Sequence, residues 1–253
     1  MIGIKDLKDD LYNGLLRIIL NAQHHYYTHR LIGENSTALN QNLKNEYDLS
    51  RKFYYLQESG RQGAILNLAK YFEGKSNNKN YCLRRFLDQC KSNISNKFDP
   101  PAYLDSPFIG YLNIEIGGTS CTLKSIHNLF ELIDIILSRP QVTNYAKDIK
   151  DLRDKTIAHH DKHSLQPMGE FWLGYEYLLY LSRLINEALL YHLYSSYSSM
   201  TKFRIDQVVD EKICTDQYWL DTEIKAIVGD EFKNTLPEFS DWYRTKKFTE
   251  PNA

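Results

Sequence analysis

The chain has 253 residues, and its hydrophobic fraction of 42% and charged fraction of 25% are close to the values of average globular proteins. This composition argues against a disordered chain, a fibrous repeat and a polytopic membrane protein. Because 31 lysine and arginine residues nearly cancel 32 aspartate and glutamate residues, the chain as a whole has no net field to attract nucleic acid or anionic lipid. A local patch must therefore hold any such partner.

The chain is poor in residues that interrupt helices, with 12 glycines and 7 prolines. Apolar residues recur at intervals of three and four, which predicts helices over 4–31, 37–72, 81–95, 119–138, 142–160 and 168–197. We therefore expect an all-α fold: an elongated bundle of about six helices in residues 1–199, then a short helical appendage of unknown role in residues 200–253.

Two features within this pattern need interpretation. Residues 108–118 alternate like a strand but have no partner strand, so we interpret them as an ordered loop. Gly60 and Gly63 either bend the second predicted helix or let a neighbouring element approach it closely.

The cysteines and the N-terminus indicate the compartment. The four cysteines never form a Cys-x-x-Cys pair, so we expect neither a zinc ribbon nor a disulfide framework. The first residues lack the basic-then-apolar order of a signal peptide, and no stretch approaches the roughly 18 consecutive apolar residues of a membrane span. We expect a cytoplasmic protein with no membrane partner.

Three histidines cluster beside an arginine at the end of the fifth predicted helix, in the sequence RDKTIAHHDKH at 153–163. Histidine can take and give a proton near neutral pH, and arginine offers a planar set of donors suited to phosphate. Together they can serve phosphodiester chemistry without a metal or other cofactor: a histidine as acid or base, Arg153 steadying the developing charge and Asp154 orienting either partner.

Helix geometry leaves the identity of the acid or base open. On an ideal α-helix Arg153 and His159 lie roughly 120° apart, whereas His160 aligns better with Arg153. The alternative interpretation of the whole cluster is a charged helix end whose cations favour the C-terminal dipole.

The string from Arg153 to His159 matches the arginine, polar residue, spacer and histidine signature of the HEPN superfamily, which this chain resembles. The extension Ile157 to Asp161 is similar to the "iAHxD" string of the abortive-infection type U branch. Upstream blocks at 53–56, 64–72 and 83–87 also look like that branch. The resemblance covers roughly residues 5 to 195.

The resemblance implies an all-α homodimer in which two copies of the motif face each other across a cleft. Active members are metal-independent endoribonucleases in which the 2′-hydroxyl attacks the adjacent phosphate, and many serve in phage defence or toxin–antitoxin pairs. By this resemblance His159 is the acid or base, Arg153 stabilises the phosphate and Asp154 orients. The supporting or substrate-binding candidates are Lys155, His160, Asp161 and His163. The partners implied are RNA, for which a tRNA is one candidate, and an antitoxin protein; a catalytically inactive interaction module is the alternative.

Metal sites are the competing interpretation. His160-Asp161 is an HD dipeptide, and His127 with Asp206 or Asp210 would complete the ligands of a metal phosphohydrolase. His159 and His163 have the i, i+4 spacing of a metal clip, a spacing that is common by chance.

Other aromatic and charged groups bear on RNA binding. Tyr175, Tyr177, Tyr180 and Tyr191 could stack on bases, although packing in a core or dimer seam is favoured. His24, His25 and His29 lie beside tyrosines, and we interpret them as a partly buried aromatic helix face. Charges around the motif sum to only one positive, which suits a small structured RNA or a dimer better than a long RNA.

Overall fold

A computed structural model describes residues 7, 9–74, 82–94, 125–157, 169–195 and 219–233. Nearly all of these residues are helical and none is in a strand, so the all-α prediction is confirmed for the described part of the chain. Within that part, none of the helices combines the length and the apolar character that crossing a membrane requires. The loop predicted at 108–118 lies outside the described residues.

Eight α-helices are present in the described ranges: seven in residues 1–199, where about six were predicted for the bundle, and one in the predicted helical appendage 200–253. A π-helical segment, Asp10–Leu16, leads into the first helix, and another, Arg153–Ile157, continues the sixth. The helices are α1 (Arg17–Glu34), α2 (Ser36–Asn42), α3 (Tyr47–Tyr71), α4 (Leu83–Asn93), α5 (Ile126–Leu137), α6 (Pro140–Leu152), α7 (Gly169–Ser195) and α8 (219–228).

Contacts divide the chain into two compact units. Unit 1 comprises Met1–Ala22 and Ile65–Phe203, and unit 2 comprises Gln23–Ala64 and Arg204–Ala253. The predicted domain boundary at 199/200 lies among residues that the structure does not describe, so it stays a prediction.

In unit 1, α7 packs against α6 and against the π-helical segment Asp10–Leu16, while α5 packs against α4 and α6. The apolar stripe predicted for α5 forms part of this core, because Leu129, Phe130 and Ile133 are all fully buried. The hydroxyl of Tyr175 on α7 donates to the carbonyl of Ala22 across 3.2 Å. These contacts place α6, which leads into the predicted motif, against α7.

In unit 2, the C-terminal helix α8 is part of the core. Buried apolar side chains of α1 and α2 pack with Phe53 of α3 and with Leu220, Ile224 and Val228 of α8. The buried amide of Asn35, between α1 and α2, accepts from the backbone nitrogen of Lys233 at 2.8 Å and donates to its carbonyl at 3.0 Å. Residues 219–233 therefore belong to the packed structure of unit 2.

Two helix boundaries differ from prediction. The predicted helix 37–72 is interrupted by a turn at 43–46. The prediction ran through this turn because Leu39, Leu43 and Tyr47 keep the spacing of an apolar helix face, although Tyr47 is 74% exposed. The predicted cap at 119 or 120 is replaced by Ser125, which is extended and whose hydroxyl accepts from the backbone nitrogen of Asn128.

The two glycines of α3 mark a close approach between helices, which confirms one of the two alternatives. A Cβ atom at Gly60 would lie 2.8 Å from the carbonyl oxygen of His25 and 2.9 Å from the backbone nitrogen of His29. One at Gly63 would lie 2.5 Å from the His25 ring. The absent side chains thus let α1 and α3 pack within unit 2.

Candidate functional site

Arg153 lies at the junction between α6 and the π-helical segment that follows it. Pro140 at the first position of α6 presets the helical backbone there and needs no amide partner. Val142 and Ile149 are buried and fix the inner face of the helix. A π-helix closes i→i+5 hydrogen bonds, and such segments often occur at functional sites. The 120° separation calculated for an ideal α-helix therefore does not apply across Arg153–Ile157.

Two carboxylates hold the guanidinium group of Arg153. Its Nε donates to Asp154 Oδ1 at 2.8 Å, and its Nη1 donates to Glu73 Oε1 at 3.3 Å. The side chain of Arg153 is 19% exposed, so these ion pairs are only partly screened by water. Burial opposes the charged form, but the hydrogen bonds and charges of Asp154 and Glu73 outweigh it and raise the pKa of Arg153.

A cavity of about 320 Å³ opens next to this ion-pair cluster. Glu73 belongs to both, because it lines the cavity and binds Arg153. Three cationic side chains line the same cavity: Arg84 at the start of α4, and Lys147 and Lys150 on α6. All three are exposed, and none forms an ion pair with a described carboxylate. The lining is therefore net positive and suited to an anion.

The helix separates charges that are adjacent in sequence. Lys147 and Lys150 line the cavity, whereas Asp148 and Asp151, their immediate neighbours, do not. Neighbouring residues on an α-helix point about 100° apart, so the acids face another direction. The sequence count of one net positive charge around the motif therefore understates the positive character of this surface.

Only part of the predicted site can be placed. Arg153 and Asp154 are in contact, and Lys155 beside them is exposed. His159, His160, Asp161 and His163 lie outside the described residues, so their roles stay predictions.

The residues of the competing metal interpretations are only partly described. The ring Nε2 of His127 lies 3.0 Å from the carbonyl oxygen of Ile94, which accepts its hydrogen bond. Its predicted co-ligands His160, Asp161, Asp206 and Asp210 are outside the described ranges. Among the described residues, no group of three or more His, Cys, Asp or Glu side chains is arranged to hold a metal ion.

Three of the four tyrosines predicted on α7 serve packing. Tyr175, Tyr177 and Tyr180 are at most 7% exposed, so they are buried inside the chain and cannot stack on RNA bases there. The side chain of Tyr191 is outside the described part of the chain, so its role stays a prediction. The predicted aromatic face of α1 is likewise confirmed, since Tyr26 and Tyr27 are buried and His25 and His29 are half-buried. Burial lowers the pKa of His25 and of His29.

Glu73 and Arg84 were missed by sequence reasoning. They lie 80 and 69 positions before Arg153, and neither stands in a motif of its own. Arg84 does fall in the upstream block 83–87 that carries the family resemblance, which is the one signal that could have singled it out.

The chain was also compared with known proteins. No protein-family model, curated protein or solved structure matches it.

Proposed function

We propose that this protein is a metal-independent endoribonuclease of the HEPN type that acts in phage defence or in a toxin–antitoxin pair. The observation that carries the proposal is the position of Arg153: a partly buried guanidinium group at the end of α6, linked through Glu73 to a cavity lined by three cations. Arginine and lysine donors are the groups that bind phosphate oxygens. The resemblance of 153–159 to the HEPN signature supplies the reaction.

The cationic cavity gives RNA a path to Arg153. Arg84, Lys147 and Lys150 contact solvent, so a phosphodiester backbone can bind them without displacing a described carboxylate. Glu73 forms the boundary between this cavity and Arg153. A phosphate that approaches along the cavity can exchange with Glu73 for the Nη1 donor of Arg153, while Asp154 keeps the Nε donor in place.

The proposed chemistry requires one proton acceptor and one proton donor. The 2′-hydroxyl loses its proton to a histidine and attacks the adjacent phosphorus, and the 5′-oxygen leaves with a proton from a second acid. The products are a 2′,3′-cyclic phosphate and a 5′-hydroxyl end. We assign the acid–base role to His159, with His160 as the alternative, and the stabilisation of the charged phosphate to Arg153. In the homodimer implied by the resemblance, the partner's motif supplies the second group.

The test is cleavage of total RNA and of purified tRNA by the full chain in EDTA, with mapping of the end groups. We expect cyclic-phosphate ends, and a loss of rate of about 100-fold or more for His159→Ala and for Arg153→Ala. Arg17→Ala and His24→Ala are matched controls, because this arginine–histidine pair has a similar spacing outside the motif. Unchanged cleavage by His159→Ala, or loss of wild-type activity in EDTA, contradicts the proposal.

The ion pairs of Arg153 favour one alternative, a catalytically silent HEPN-type interaction module. Two carboxylates already accept hydrogen bonds from the guanidinium group, as they would in a purely structural cluster. The module predicts that expression is harmless, or that any toxicity is unaffected by Arg153→Ala. Growth arrest that disappears with Arg153→Ala rules out the module. Light scattering at micromolar concentration tests the dimer that both candidates share.

A further inference from the structure

Unit 2 exposes aromatic side chains along α3. Tyr47 is 74%, Tyr54 63% and Tyr55 53% exposed, although tyrosine rings usually lie at least half buried. On an ideal helix Tyr47 and Tyr54 are about 20° apart around the axis and about 10 Å apart along it. The two residues therefore lie on one side of α3. Their separation is large enough for each ring to stack on a different planar group of a ligand.

Arg51 lies between Tyr47 and Tyr54 in sequence and lines the same cavity as both. Arg51 Nε and Nη2 both donate to the hydroxyl of Tyr55, at 3.1 and 2.8 Å, and the guanidinium carbon is 5.3 Å from the Tyr55 ring centroid. These contacts restrict the side chain and leave Nη1 with no hydrogen-bond partner among the described residues. In contrast to Arg153, Arg51 has no carboxylate partner within the described chain, so its charge is available to a ligand.

A cavity of about 340 Å³ joins these groups. Tyr47, Arg51 and Tyr54 of α3 line it, together with the apolar side chains of Ile32, Leu39 and Leu43. Hydroxyl and amide groups complete the lining, from Ser36, Asn40, Ser50 and Gln57. No described carboxylate contributes to it. The cavity thus offers aromatic surfaces, neutral hydrogen-bonding groups and one positive charge, which disfavours a cationic ligand.

We propose that this face of α3 binds single-stranded nucleic acid. Successive bases stack on Tyr47 and Tyr54, and a phosphate between them accepts from Nη1 of Arg51. Aromatic platforms beside a cation are the usual means of binding unpaired bases. This site is in unit 2 and does not depend on catalysis by Arg153 in unit 1.

The charge of Arg51 favours nucleic acid over a second copy of the chain. A symmetric dimer through this face would bring two Arg51 side chains into one interface whose described lining holds no carboxylate to neutralise them. A phosphate-bearing ligand removes that repulsion. The exposed tyrosines would otherwise be suitable for self-association, so the oligomeric state forms part of the test.

The probe is a fluorescein-labelled 12-nucleotide oligouridine, titrated with the full chain carrying His159→Ala so that cleavage does not interfere. We expect the double variant Tyr47→Leu/Tyr54→Leu to raise the Kd by about tenfold or more, whereas Tyr54→Phe keeps the stacking surface and the affinity. Arg51→Gln should also weaken binding and make the slope of log K against log salt shallower by about 0.7, the value of one phosphate contact.

Matched controls are Tyr12→Leu and Arg17→Gln, an exposed tyrosine and an exposed arginine of unit 1, both of which should leave the Kd unchanged. A blunt RNA duplex should bind the wild type more weakly than the single strand, because its bases are already stacked. Circular dichroism verifies that each variant folds.

The proposal is overturned by an unchanged Kd in the double tyrosine variant or by equal affinity for duplex and single strand. It is also overturned by a dimer that dissociates in the double variant while affinity per chain is kept. A Kd that responds to Arg51→Gln but survives Arg153→Ala supports this site even if no cleavage is ever detected. Binding abolished by Arg153→Ala and untouched by Arg51→Gln overturns it.

Discussion

Glu73 Oε1 accepts a hydrogen bond from Arg153 Nη1 at 3.3 Å, joining residues 80 positions apart. Glu73 follows the last turn of α3, and Arg153 begins the π-helical segment after α6. The pair therefore fixes the point where the predicted motif begins relative to the C-terminal end of α3. It also neutralises part of the charge of Arg153. In the proposed function, Glu73 therefore competes with an RNA phosphate for this guanidinium group.

Replacing Glu73 tests this relationship. Glu73→Gln keeps the size of the side chain but removes its charge, so we expect tighter RNA binding at low salt and a salt slope steeper by up to about 0.7. The free energy of unfolding should change by no more than about 1 kcal/mol, because the pair is only partly buried. Fluorescence anisotropy and urea unfolding measure the two effects.

The control for Glu73→Gln is Glu34→Gln, which breaks an ion pair with Arg30 in unit 2. It should leave RNA affinity unchanged. Weaker RNA binding by Glu73→Gln would mean that Glu73 positions Arg153 for RNA rather than competing with it.

The close approach of α1 and α3 predicts a cost for any side chain at Gly60. Gly60→Ala would gain helix propensity of about 1 kcal/mol, but its Cβ atom would meet the backbone of His25 and His29, which cannot rotate away. We expect a net destabilisation of about 1–3 kcal/mol, as for overpacked cores. Gly74→Ala is the control, because a Cβ atom there meets nothing within 4 Å. Equal urea midpoints for the two variants would contradict this account.

Local patterns predicted the helices well where one face is buried. The stripe of α5 is confirmed, and so is the packing of Tyr175, Tyr177 and Tyr180 on α7, because these side chains are buried. The pattern failed at 43–46, since Tyr47 has the spacing of a core residue but points to solvent. The pattern also did not predict that 219–228 contributes to a core. Leu220, Ile224 and Val228 recur there every four residues, but the segment is otherwise rich in charge.

The candidate site was only half predictable for a different reason. Arg153 and Asp154 are neighbours in sequence, so a short motif includes both. The contact of Arg153 with Glu73, and the cations that Arg84 and α6 bring to the cavity, arise only when separate helices pack together. No local pattern encodes such contacts.

We expect the hydrogen bonds between Asn35 and Lys233 to stabilise unit 2. Its amide satisfies both backbone groups of Lys233 and is 1% exposed, so Asn35→Ala should leave these groups without their partner and cost about 1–3 kcal/mol. Asn42→Ala, at the exposed end of α2, is the control and should change stability by less than about 0.5 kcal/mol. Thermal unfolding measures both, and equal stabilities would show that the Lys233 contact contributes nothing.

We expect the buried side chain of His192 to make the stability of unit 1 depend on pH. The side chain is fully buried on α7, and burial lowers its pKa from 6.5 to about 4. The unfolded chain therefore takes up a proton as the pH falls below 6.5, while the folded chain resists protonation until about pH 4. By linkage, the free energy of unfolding decreases across this window by about 3 kcal/mol and this contribution levels off below it.

Urea unfolding of the wild type and of His192→Gln between pH 7.5 and pH 4 checks this prediction. The variant has no side chain to titrate at this position, so its stability should fall less steeply, and the two curves should converge by about 3 kcal/mol as the pH decreases. The difference between the two free energies of unfolding at pH 7.5 is the cost of the substitution itself. Subtracting this difference at every pH leaves the effect of His192 protonation. Parallel curves over the whole range would mean that His192 is protonated equally in the folded and unfolded chain.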